Sequence, residues 1–89
     1  MSNVEMFRPM TEDAARELAL QLRRLEVLGE CRIDLEQKIE MLEIGAKFTG
    51  WLESEKRERA ELQWMLRAVG LLQGQADSKR LEIERQVSP

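Results

Sequence analysis

From Leu18 onward an apolar residue returns every three or four positions: Leu18, Leu22, Leu25, Leu28, Cys31, Leu35, Ile39, Leu42 and Ala46. The mean step is about 3.5 residues, the repeat that keeps one seam of an α-helix turned toward a partner helix over many turns. A chain patterned this way is restricted to pairs and bundles of long helices. A second stripe, Leu62, Met65, Val69, Leu72, Ala76, Ile83 and Val87, with Leu66 beside it, continues the pattern in the other half of the chain. Strands would need many β-branched and aromatic residues to cover a pleated face. Tyrosine is absent, Phe7, Phe48, Trp51 and Trp64 are the aromatic residues, and no sheet is expected.

Punctuation divides the 89 residues. Residues 1–10 have no period, and Pro9 disfavours helix at the residue before it, so they read as a flexible arm. Thr11 followed by Glu12 and Asp13 is a hydroxyl cap with two acids at the positive end of a helix. Gly29 interrupts the first stripe without any supporting turn residue, and the helix is carried through it. Gly45 and Gly50 bracket Ala46-Lys47-Phe48-Thr49, where the chain is expected to reverse, with Thr49 capping the next helix. The reading is therefore an all-α single domain over residues 11–87: helix 11–48, turn 49–51, and helix 52–86 open to a break near Gly70 and Gly74. The two long helices form an antiparallel, coiled-coil-like hairpin. The runner-up is one nearly continuous helix through residue 86.

A hairpin this thin leaves apolar surface uncovered, so pairing into a four-helix bundle homodimer, or into a larger helical oligomer, is expected. Closing the chain at Thr49-Gly50 also sets Ile39, Leu42 and Ala46 opposite the charged stretch Glu53 to Glu61, which calls for cover from a second subunit or a partner near Ile39 to Phe48. Ile33, Met41, Ile44 and Phe48 make this half apolar on a further side.

The chemistry available to the chain is narrow. No histidine is present, which removes the commonest general base, the Ser-His and Cys-His pairs and a principal metal ligand. Glu26 with Glu30, and Glu36 with Glu40 and Glu43, place carboxylates on one helix face, but carboxylate-bridged metal bundles use Glu-x-x-His. These acids read as a solvated face paired to Arg32, Lys38 and Lys47. Catalytic residues, metal and cofactors are thus expected to be none. Cys31, the single cysteine, falls on the main stripe and reads as a small buried apolar group. Gly70-Leu71-Leu72-Gln73-Gly74 has the GxxxG spacing, which matters mainly in membranes and is weak here.

Contact with other macromolecules is what remains. Ala60, Trp64, Arg67 and Leu71 align on a helix face nearly opposite the second stripe, and Trp and Arg are the residues most enriched at interface hot spots. That face serves either self-association or a different protein. The corner Ile44, Phe48 and Trp51 is a second candidate contact. The expected role is an adaptor, chaperone or inhibitor acting by steric occlusion or bridging of a larger protein, of a kind common among bacterial and phage accessory proteins. Nucleic acid or a nucleotide is the competing partner, bound by an oligomer: Arg23 and Arg24 would be its contacts, joined by Arg67 in one groove, although the interleaved acids and the net charge of −3 disfavour it. No run approaches the ~18 apolar residues of a membrane span, and a cytoplasmic location is expected.

Overall fold

The computed structural model describes residues 10–87, so nearly all of the expected N-terminal arm lies outside the described residues. Two helices, α1 (Glu12–Thr49) and α2 (Glu53–Val87), run antiparallel and pack against each other, with no strand among the described residues. The chain reverses, which sets aside the single continuous helix.

Both helix starts are chemically specified. The Thr11 hydroxyl oxygen accepts a hydrogen bond from the Ala14 backbone N–H at 3.1 Å, and Glu12 and Asp13 occupy the first turn. At the start of α2 the Glu55 carboxylate accepts the Leu52 backbone N–H at 3.0 Å, the reaching-back half of a capping box. This replaces the expected role of Thr49. Thr49 is the last residue of α1, and its hydroxyl donates back to the Gly45 carbonyl at 3.0 Å. The turn consequently spans 50–52. Gly50 makes it possible: its backbone lies at φ 76 and ψ 176, a region open in practice to glycine alone, while its N–H closes the helix on the Ala46 carbonyl at 2.8 Å.

Gly70 and Gly74 do not break α2, which continues to Val87. Each costs about 1 kcal/mol relative to alanine, too little to interrupt a helix 35 residues long whose neighbours are held cooperatively. Nor do they admit a close helix contact, since a Cβ at either position would meet nothing within 4 Å.

The seam is legible in the pattern of burial. On α1 it runs Ala14, Leu18, Gln21, Leu25, Leu28, then Leu35, Ile39, Leu42 and Ala46; on α2 it runs Glu55, Arg59, Leu62, Leu66, Val69, Gln73, Ala76, Arg80 and Ile83. Steps of three and four alternate strictly, with Arg32 filling the one vacant place and donating to Gln73 Oε1 across the pair at 3.2 Å. The expected stripe needs correcting here. Leu22, Met65 and Leu72 are exposed, and so is Cys31, which is not a buried apolar group. Helix pairing demands constant period, and constant period from Leu18 selects Gln21 and Arg32 over the more apolar Leu22 and Cys31.

The expected mismatch near the turn is also resolved within one chain. Ile39 and Leu42 are half-buried and Ala46 is buried. In the charged stretch opposite, Glu55 and Arg59 occupy seam positions and are half-buried, their aliphatic stems supplying cover. The Arg59 guanidinium stacks over the Trp51 ring, 4.4 Å from its centre, and so helps to hold the half-buried indole over the corner.

Two sets of substitutions test this account. Gly50→Ala forces an L-residue into a glycine-only conformation and is expected to destabilise by about 1–3 kcal/mol, read as a lower urea midpoint. Gly70→Ala and Gly74→Ala sit at ordinary helical geometry with open space around them, and each is expected to stabilise by roughly 0.5–1 kcal/mol. Destabilisation by either would mean that α2 needs a loose point there.

Candidate interaction surface

A pair of helices buries one stripe on each, and the apolar residues beyond that stripe are left in solvent. Among the described residues the only buried apolar side chains are Ala46, Leu62, Ala76 and Ile83, two of them alanine. Much larger side chains lie outside. Phe48 is 83% exposed, Trp64 70% and Leu71 67%.

On α2, Trp64 and Leu71 are one heptad apart on the side away from the seam, with Arg67 exposed between them. Met65 and Leu72, each one residue further on, turn about 100° toward α1, and the half-buried Ala68 lies between the two pairs. The result is one apolar strip wrapping the outer side of α2. Trp64, Arg67 and Leu71 therefore share a surface, as their spacing suggested. Of the corner residues, Phe48 and Ile44 are exposed on the last turns of α1, while Trp51 is half-buried under Arg59 and contributes less free surface.

Toward the open end, α1 and α2 form a groove of about 520 Å³. Its apolar lining comes from Leu20, Val27 and Leu28 of α1 and Leu72 and Ala76 of α2. Arg23, Arg24 and Lys79 line it as well, with Gln75, and no acidic side chain does. In a chain of net charge −3 this is a local reversal of sign. Arg23 and Arg24 are thus brought together with Lys79, but Arg67 does not join them. Leu20 and Val27 were not singled out in the sequence. Their signal was present in the recurrence of Leu20, Val27, Met41 and Phe48 at multiples of seven, but a strong neighbouring stripe masks it.

Gln21 also lines this groove and is the most buried residue of the hairpin, at 0% exposure. Its Nε2 donates to Glu17 at 2.8 Å, while its Oε1 is buried without a hydrogen-bond partner. An unpaired buried carbonyl costs about 1–3 kcal/mol. Deeper along α2 the seam cation Arg80 is held by Asp77 at 2.8 Å and Glu84 at 3.0 Å. The hydrogen bonds that it donates to Asp77 first, then to Glu84, raise the pKa of its guanidinium further, so it carries charge at every accessible pH.

Among the described residues no group of three or more Cys, Asp or Glu side chains comes together as a metal site, and no helix is long and apolar enough to cross a membrane. No protein-family model matches the sequence, and no curated protein or solved structure shows a significant similarity to it.

Gln21→Leu removes the orphaned carbonyl and adds an apolar side chain of similar size to the seam. Thermal unfolding is expected to move upward, by an amount corresponding to about 1–2 kcal/mol. A fall in stability instead would show that the carbonyl finds a donor in solution.

Proposed function

We propose that this protein is a non-enzymatic, dimeric helical adaptor or inhibitor that acts in the cytoplasm by docking on a larger protein, occluding or bridging it. The observation that carries the reading is the outer strip of α2, where Trp64 and Leu71 stand 70% and 67% exposed with Arg67 between them. A tryptophan and a leucine held in water on a rigid helix are favourable to bury and already ordered, so a partner's groove gains their burial with little entropic cost. This is the helix-in-groove mode of recognition, with anchors at i, i+3 and i+7. A contact role suits a chain that lacks histidine and so lacks the usual proton shuttle.

Pairing of two hairpins into a four-helix bundle belongs to the same reading. The small buried set gives one hairpin a thin core, and a second copy is the partner always available to it. A second reading, binding of nucleic acid, is favoured by one observation, the convergence of Arg23, Arg24 and Lys79 on a single groove. It is weakened by the apolar floor of that groove and by the placement of Arg67 elsewhere.

Trp64→Ala is expected to reduce recovery of a partner in affinity purification from the native host by at least tenfold, while circular dichroism stays that of the wild type. Loss of helicity would instead make Trp64 a structural residue and remove the basis of the proposal. Salt-sensitive binding of labelled DNA or RNA, lost in Arg23→Glu/Arg24→Glu, would transfer the function to the second reading.

A further inference from the structure

We infer that the groove at the open end is filled by the turn half of α1 from a second copy of this chain, the two hairpins lying antiparallel about a two-fold axis near Asp34. The inference deepens the reading above and rests on its dimer. What it adds is the face, the register and the division of surface between self and partner.

The register comes from four exposed side chains. Leu20, Val27, Met41 and Phe48 are all large, apolar and exposed, and they are spaced by seven, fourteen and seven residues. In a helix wound at about 3.5 residues per turn, multiples of seven share one side, so Met41 and Phe48 extend the flank on which Leu20 and Val27 line the groove. The set is symmetric about position 34. A two-fold axis at that level lays Val27 of one copy against Met41 of the other, and Leu20 against Phe48, each contact made twice as an isologous interface requires.

Charge follows the same register. The groove presents Arg23, Arg24 and Lys79 without an acid, while the segment that enters it carries Glu40 and Glu43 beside Met41 and Ile44, against the single cation Lys47. At the axis, Asp34 is not a bare carboxylate: Lys38 holds it at 3.0 Å, so each copy brings an ion pair of both signs to its twin. Area suffices too. A face about 50 Å long and two helices wide offers roughly 1,000 Å², above the ~800 Å² per partner of a standard interface.

In this arrangement Phe48 and Ile44 belong to the self-interface. Trp64, Arg67 and Leu71, on the outer side of α2, stay free for a different protein.

The test uses the full chain. Light scattering of the wild type is expected to give twice the 10.4 kDa chain mass, and Val27→Glu or Met41→Glu to return it to one chain mass with helicity kept. Orientation is read with cysteines in a Cys31→Ser background. Leu20→Cys/Phe48→Cys, too far apart along one helix to bond within a chain, is expected to oxidise to a covalent dimer, whereas either cysteine alone leaves the chain single on a non-reducing gel. A wild-type monomer, or covalent dimers from the single cysteines, overturns the inference. Dissociation by Trp64→Ala overturns it as well, because the self-interface would then be the α2 strip. Should a glutamate variant lose helicity, the cysteine pair decides alone. A dimer that behaves as described while Trp64→Ala leaves partner recovery unchanged removes the docking proposal and leaves this one standing.

Discussion

Two helices can bury only one stripe on each, and everything distinctive about this molecule follows from that limit. The seam takes every side chain that constant period assigns to it, polar or not, and so Gln21, Arg32, Gln73 and Arg80 stand at positions where longer bundles place leucine. Apolar residues one step off the period are then forced outward. The hairpin holds polar groups within and carries Trp64, Leu71 and Phe48 without, an inversion that a lone globular domain would have little reason to keep.

Polar seam positions are a cost in stability and a gain in definition. A purely apolar seam can slide by a heptad with small loss, whereas the Arg32 to Gln73 hydrogen bond exists in one alignment of the two helices. Arg80, fixed from both sides by Asp77 and Glu84, spans its own helix and leaves those acids committed. The outer surfaces are therefore displayed in a fixed relation to each other.

Much of the fold was legible in the residues because local chemistry specified it. Thr11 with its two acids marked a helix start that the structure places within one residue, and the glycine-bracketed segment before Trp51 marked the reversal. Two things escaped. Period and polarity disagreed at Gln21 against Leu22 and at Arg32 against Cys31, and reading by polarity chose the wrong partner at both, since only packing enforces the period. The groove escaped for a different reason: Leu20 and Val27 meet Leu72 and Lys79 only once the turn has set the antiparallel alignment. Trp64, Arg67 and Leu71, in contrast, share one helix face, and spacing alone was enough to group them.

The single turn at Gly50 also gives the molecule a direction in time. Contacts near it join residues a few positions apart, while those at the open end, where Asp13 and Gln86 line one shallow recess, join residues more than seventy apart. Closing the longer loop first costs roughly 2 kcal/mol more than closing a ten-residue one. Assembly therefore zips outward from Gly50, and fraying begins at the opposite end, in the recess lined by Asp13 and Gln86, and spreads from there to the basic groove. A surface that forms late is the more responsive to being covered, so whatever occupies the groove acts as a clasp on the open half of the hairpin.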